Sequence, residues 1–243
     1  MSKDLFSRHA SQYATFRPTY PRELFEFIYQ HTHQFDQAWD AGTGNGQVAR
    51  ELAKKFQHVF ATDISEGQIA NATQAPNIRY SIAAETTDFG DHTFDLICVA
   101  QAIHWFDREK FYEEVKRVAK PSATLAVWGY GLLTISEPID DLVRGFYKNV
   151  IGPYWDKERR LIDESYETIV FPFQEISSPP FFIDVKWNLA ELYGYITTWS
   201  SVQKFIQQHQ TNPVNDLIRS IQPLWQTEYR EIRFPIFMRL GKI

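Results

Sequence analysis

The segment Asp40-Ala41-Gly42-Thr43-Gly44-Asn45-Gly46 constrains the fold more tightly than any other part of the chain. Three alternate glycines separate a short apolar run, Gln37–Asp40, from a stretch in which Val48, Leu52 and Phe56 recur every four residues. The run predicts a strand and the recurrence an amphipathic helix, so the glycines form the turn between them. Glycine tolerates the left-handed backbone of a tight turn and lets a ligand approach closely, while the first N–H groups of the helix stay available to bind it. A strand–turn–helix unit of this kind belongs to open α/β sheets, whose ligands gather at the carboxyl ends of the strands.

The rest of the first half follows the same alternation. Pro21 opens a helix whose apolar face is Leu24, Phe25 and Ile28, and His58–Thr62 predicts a second strand. Ser65-Glu66-Gly67-Gln68 has the form of a capping box for a helix through about Thr73, and Ile78–Ile82 predicts a third strand. Phe94–Ala100 is apolar nearly throughout and predicts a central strand. Asp107 caps a helix with Phe111, Val115 and Val118 on one face, Pro121 ends it, and Ala123–Gly129 is a fifth strand. Beyond residue 130, prolines at 138, 153, 172, 179 and 180 break the pattern. Phe181–Leu189 predicts a strand, Glu191–Gln208 is mainly helical, and Glu231–Arg239 alternates as a terminal strand with Pro235 at an edge or bulge. The expected fold is α/β, a doubly wound, mostly parallel sheet with a helical cap. One domain spans 1–243: an N-terminal lid and first helix (1–35), a ligand-binding core (36–130), a cap with a late strand (131–230) and a terminal strand (231–243).

Composition removes several functional classes. A length of 243 residues suffices for one large domain with a full core. The single cysteine, Cys98, excludes an intramolecular disulfide framework and a multi-cysteine metal site, and its mid-strand position marks it as core. The longest apolar run, Leu96–Ala100, falls far short of the roughly 20 residues that cross a bilayer. Met1-Ser2-Lys3-Asp4 lacks the apolar core of a secretory signal. With 25 basic against 30 acidic residues, the net charge of −5 opposes wholesale binding to a phosphate backbone. A cytoplasmic globular protein with neither a nucleic-acid nor a membrane partner is expected.

Asp63 follows Gly42 by 21 residues, at the end of the second strand, where a carboxylate can accept both hydroxyls of a ribose. A nicotinamide oxidoreductase would need its third glycine at position 47, which is Gln47. Asp40 would also repel a diphosphate, whereas an acid beside the turn suits a ligand carrying an ammonium group.

These residues resemble the class I S-adenosylmethionine-dependent methyltransferases, and other stretches fit the same comparison. Arg17-Pro18-Thr19-Tyr20-Pro21 is similar to the opening motif of one small-molecule branch, and Ala61-Thr62-Asp63-Ile64-Ser65 to the second-strand motif. Phe94-Asp95-Leu96-Ile97 and Ala100-Gln101-Ala102-Ile103-His104-Trp105-Phe106 resemble the fourth strand and its loop in the type 11, trans-aconitate methyltransferase-like branch. Tyr195–Ser200 is similar to a late helix of that branch. The resemblance covers roughly residues 6–130 and implies a Rossmann-like sheet of seven strands, S-adenosylmethionine as cofactor and a small-molecule acceptor.

By the same resemblance, Asp40, Ala41, Gly42, Thr43 and Gly44 surround the methionine end of the cofactor. Asp63 takes the ribose hydroxyls, Ile64 packs on the adenine, and Ala84 and Glu85 border its edge. Ala100 and Gln101 line the floor, and Gln68 is either a further contact or simply part of the helix cap. The chain departs from the commoner family form at Thr43, often cysteine, and at Thr86-Thr87-Asp88, where Leu-Pro is frequent. An inactive S-adenosylmethionine-binding protein of the same fold is the alternative to an enzyme.

His104 follows the central strand and is either a positioning group, a base or a helix-start residue. Tyr13 is a second candidate base. Tyr20, Trp105, Trp128, Tyr130 and Trp199 are candidate walls of an acceptor pocket, each otherwise a core residue. Arg17 would either face an anionic acceptor such as a carboxylic acid or hold the N-terminal segment in place. His31-Thr32-His33 lacks a third ligand, so no metal is expected, and no G-x-S-x-G elbow supplies a hydrolase nucleophile. Glu113-Glu114 and Asp140-Asp141 are solvated faces.

Overall fold

A computed structural model describes residues 16–243. Five strands, β1 (Gln37–Ala41), β2 (His58–Asp63), β3 (Ile78–Ile82), β4 (Phe94–Ala100) and β5 (Ala119–Tyr130), run parallel in the order β3-β2-β1-β4-β5. Three later strands complete the sheet: β6 (Gln174–Ile176), β7 (Phe181–Trp187) and β8 (Arg230–Lys242). β8 lies antiparallel to β5, with Thr124 opposite Lys242 and Tyr130 opposite Ile236. β6 and β7 both pair with β8, β6 at Leu240–Lys242 and β7 at Arg230–Ile236. The sheet therefore has eight strands rather than seven. The outermost position is divided because Pro179 and Pro180 lie between β6 and β7, and proline has no N–H to give a ladder.

Alternation along the central strands divides the core into two layers. Ala38, Leu96, Cys98 and Ala126 face one side, where they pack against Leu24, Phe25 and Ile28 of α1 (Arg22–Gln30) and Val48, Ala49 and Leu52 of α2 (Gln47–Leu52). Trp39, Ile97, Val99, Leu125 and Val127 face the other. A short helix α3 (Glu66–Ala70) follows β2, and α4 (Arg108–Val118) covers the second face with Phe111, Val115 and Val118. Cys98 is fully buried, and burial raises its thiol well above the usual range, as a core residue requires.

A third apolar cluster forms beyond β5. It gathers α5 (Glu137–Gly145), which runs on into a π turn at Phe146–Val150, with α7 (Leu189–Thr197), α8 (Ser200–His209) and α9 (Val214–Trp225) against β7 and β8. The short α6 (Arg159–Asp163) sits between α5 and β6 in sequence, and its Ile162 joins the Trp39 layer. Among the described residues no helix is long and apolar enough to cross a membrane.

Three local expectations change in detail. Pro21 is the extended residue before α1, not its first helical one. α3 stops at Ala70, and Ser65 accepts from Gln68 N without the reciprocal half of a capping box. α4 ends at Val118, so Pro121 is the third residue of β5 instead of terminating the helix.

Candidate active site

All three glycines of the turn have left-handed backbones, φ +73° at Gly42, +54° at Gly44 and +80° at Gly46. The N–H groups of Gly42 and Thr43 both donate to the Thr62 carbonyl, at 2.8 and 2.9 Å, which ties the turn to the end of β2. A Cβ on Gly42 would lie 2.5 Å from the Ala102 Cβ, and one on Gly46 would run into the Tyr80 hydroxyl. A Cβ on Gly44 would meet no atom of the described residues within 4 Å.

Asp40 is buried beneath this turn. Its Oδ2 accepts from Thr43 Oγ1 at 2.5 Å and from Ala49 N at 3.0 Å, while Oδ1 is buried with no partner among the described residues. Burial raises the Asp40 carboxyl to about 7, opposed by those two hydrogen bonds and assisted by the negative charge of Asp63. Asp63, at the end of β2, accepts from Gly44 N at 2.8 Å and from Ser65 N at 2.9 Å, one amide to each oxygen.

These groups wall a chamber of about 1120 Å³, its open mouth included, at the carboxyl edge of the sheet. Of the cofactor residues expected from the sequence, Asp40, Gly42, Thr43, Gly44, Asp63, Ile64, Gln68, Ala84, Ala100 and Gln101 line it. Gln68 is buried and its Oε1 has no partner among the described residues. Ala41 and Glu85 do not line it. Ala41 is core, and Glu85 accepts from Asp107 N at 2.9 Å. Sequence reasoning missed Pro18, Asn45, Gln47, Val48, Ser65, Ala83, Ala102 and Phe106 as lining residues. Most of them adjoin residues that were found, so a neighbour-by-neighbour extension of each motif was the available signal.

Gln101 is the pivot of the site. It has a left-handed backbone (φ +54°), held by its N–H on the Trp128 carbonyl at 2.9 Å and its Nε2 on the Tyr130 carbonyl at 3.2 Å. Such strain in a residue other than glycine persists only where the surroundings fix it, and it gathers at functional sites. Gln101, Arg17 and Trp105 line the large chamber and also a second, smaller one of about 540 Å³ including its mouth.

The second chamber takes its far wall from the segment around α6 and from the start of α8: Trp155, Asp156, Arg159, Ile162, Trp199 and Ser200. His104 lines it as well. The imidazole is buried, with Nδ1 2.8 Å from the Tyr166 hydroxyl. Burial first, then the charges of Arg159 and Arg108, lower His104 to about 3.

The other expected acceptor residues divide between wall and core. Tyr20 and Tyr130 line the large chamber, and Arg17 donates to the Tyr130 hydroxyl at 2.9 Å while lying 5.5 Å from the Tyr195 ring. Trp128 is wholly buried behind Tyr20, edge-on at 5.5 Å, and touches neither chamber. Tyr13 lies outside the described residues. No group of three or more metal-ligating side chains occurs among the described residues.

The comparisons with known proteins agree with this geometry. Residues 39–127, from β1 through β5, match the family model of a methyltransferase domain. A methyltransferase of Dictyostelium discoideum is 33% identical over 249 aligned positions, covering 98% of this chain and 95% of that protein. The chain belongs to the class I S-adenosylmethionine-dependent methyltransferases. A solved structure, described as a type II methyltransferase from Anaeromyxobacter dehalogenans, aligns with this methyltransferase at a TM-score of 0.86 and 34% identity, over 93% of this chain and 98% of that one. The methyltransferase cfoB of Aspergillus candidus is 29% identical over 218 positions, 76% of this chain and 67% of that one. The cofactor of this methyltransferase is S-adenosylmethionine.

Proposed function

We propose that this methyltransferase transfers the methyl group to a small-molecule acceptor held in the second chamber, and that the acceptor is a carboxylic acid. The observation that carries this reading is the sharing of Arg17, Gln101 and Trp105 by the two chambers, which puts an acceptor beside the methyl donor.

The large chamber suits the cofactor. Asp40 Oδ1, a buried oxygen without a partner among the described residues, matches the ammonium of the methionine end, and the space over Gly44 admits its backbone contacts. Asp63, fixed by two amides at the end of β2, is the acceptor for the ribose hydroxyls. Ile64, Ala83 and Ala84 form an apolar strip for the adenine, and Gln68 Oε1 is a further acceptor. Bound there, S-adenosylmethionine supplies an electrophilic methyl group on a positively charged sulfur.

The residues of the second chamber then orient the acceptor and exclude water, which by itself removes several kcal/mol of barrier for an in-line displacement. His104 serves as a positioning group. An imidazole lowered to about 3 is neutral at physiological pH and a weak base, so acceptors that must lose a proton are poorly served. A carboxylate needs no base. One of its oxygens gains the methyl carbon, the sulfur keeps the electron pair of the broken bond, and the two opposite charges cancel. Residues 131–230 act in this reading as the cap that completes the chamber, with the N-terminal segment at Arg17 and Pro18 closing over the cofactor.

The test is product formation. Incubation with methyl-labelled S-adenosylmethionine and a panel of small acids, amines and phenols should yield S-adenosylhomocysteine and a labelled ester from at least one acid. Tight cofactor binding with no turnover on any class would favour the inactive binding protein instead.

A further inference from the structure

The second chamber carries a charge pattern that its place beside the cofactor does not require. Arg159 is anchored from one side only. Its Nε donates to the Tyr147 hydroxyl at 2.8 Å and lies 3.6 Å from Asp163 Oδ1, and Tyr147 in turn donates to Asp163 at 2.7 Å. The guanidinium lies over the Trp155 indole, 4.7 Å from the ring centroid. Both η nitrogens are without an acceptor among the described residues, although the side chain is only 23% exposed. A guanidinium held by Nε and stacked on an aromatic face presents its planar N–H edge in a fixed direction, the geometry that pairs with a carboxylate.

Two further observations concern residues that line the same chamber. Trp155 Nε1, a donor only, is buried with no partner among the described residues. Asp156, the one acid on the wall among the described residues, is taken up by Lys204 at 2.6 Å, so it does not offset Arg159. Three indoles share the wall, Trp105, Trp155 and Trp199, the rings of the last two 6.0 Å apart and tilted by 44°. Donors without acceptors, positive charge and three indoles together describe a ligand that is anionic at one end and planar.

We propose that Arg159, with the Trp155 N–H, is the carboxylate-reading element of the acceptor site, and that the acceptor is a planar aromatic or conjugated carboxylic acid lying among the three indoles. This assignment rests on the proposed methyl transfer and deepens it. Tyr147 and Asp163 are positioning residues that act through Arg159.

The experiment is calorimetric titration of the full chain saturated with S-adenosylhomocysteine. The probes are benzoate, trans-cinnamate and indole-3-carboxylate, each beside its neutral primary carboxamide. At least one acid should bind tenfold or more tightly than its amide. Arg159→Gln should reduce that preference to twofold or less, and Trp155→Phe should weaken the acid severalfold more than its amide. Arg159→Lys, which keeps the charge but loses the planar fork, should fall between wild type and Arg159→Gln. Each variant should bind S-adenosylhomocysteine within threefold of wild type, which shows that it is folded. An absence of acid preference in the wild type, or its survival in Arg159→Gln, overturns the assignment while leaving methyl transfer standing. Failure of the wild type to bind S-adenosylhomocysteine overturns the methyl-transfer reading itself, so the two failures are separable.

Discussion

Asp40 and Asp63 face one chamber from the ends of adjacent strands, and burial, with the charge on Asp63 adding a smaller share, holds the Asp40 carboxyl near 7. The pair sets opposite pH dependences for folding and for binding. A carboxyl raised above its unfolded value contributes stability that is complete below about pH 4 and is lost as the pH rises through about 7. A bound ammonium reverses the preference, because it favours the carboxylate.

The affinity of S-adenosylhomocysteine should therefore rise between about pH 5.5 and 7.5, by up to about tenfold per unit, and then level off. Calorimetry in buffers of different ionisation enthalpy should detect proton release on binding below about pH 7. Asp40→Asn should lose this dependence and most of the affinity. Without ligand at pH 8, it should melt above wild type, by roughly 1–3 kcal/mol of stability, because it no longer carries a buried charge. An Asp40→Asn protein that melts below wild type at pH 8 would contradict the placement.

The glycines separate folding from binding. Gly44→Ala places its Cβ clear of the described residues at φ +54°, so it should cost only the left-handed penalty of about 1–2 kcal/mol. Its cofactor affinity should nevertheless fall at least tenfold, because the proposed cofactor site fills that space. Gly42→Ala adds a collision with Ala102 to a left-handed backbone and should destabilise the fold more than Gly44→Ala does. Denaturant melts with and without S-adenosylhomocysteine read both effects.

Much of the cofactor half was legible in the sequence because its determinants are local. Gly42, Gly44 and Gly46 can only be a turn, and Phe94–Ala100 is buried along its whole length except for its last residue. The second chamber was legible only in part: Arg17, Gln101, His104, Trp105 and Trp199 were expected at the site, and its far wall was not. Trp155 and Arg159 belong to short helical pieces with no sustained period, and they reach Arg17 and His104 only through tertiary packing. Tyr166 lies 62 residues from its partner His104, and nothing in its local sequence marks it. β6 escaped notice because it is three residues long and two of them are polar, its Glu175 being paired with Arg239 of β8. Trp128 shows the converse error. An aromatic at the end of a strand looks like a pocket wall, but here Tyr20 and Phe25 pack edge-on against it.

His104 gives an acid-side prediction. A histidine lowered to about 3 from its ordinary value contributes stability that is present above about pH 6.5 and lost as the pH falls toward 3. Between about pH 6.5 and 4 the loss from His104 opposes the gain from Asp40, so His104→Gln should gain stability relative to wild type as the pH falls through that window. Nitrogen-15 NMR of histidine-labelled protein should find the His104 ring neutral at pH 5. Tyr166→Phe removes the partner of the buried Nδ1 and should cost roughly 1–3 kcal/mol. A His104 resonance titrating near pH 6.5 would contradict the buried, neutral ring.

The most direct measurement is a thermal-shift comparison of S-adenosylmethionine, S-adenosylhomocysteine and NADH on wild type and Asp63→Ala. At about 100 times its dissociation constant a ligand adds about 2.7 kcal/mol. For a chain of this size that is an increase in Tm of roughly 5–10 °C. Both sulfur ligands should raise the melting temperature of wild type, neither should do so for Asp63→Ala at the same concentration, and NADH should shift neither protein. A shift with NADH alone, or an undiminished shift with Asp63→Ala, would contradict the cofactor site described for this methyltransferase.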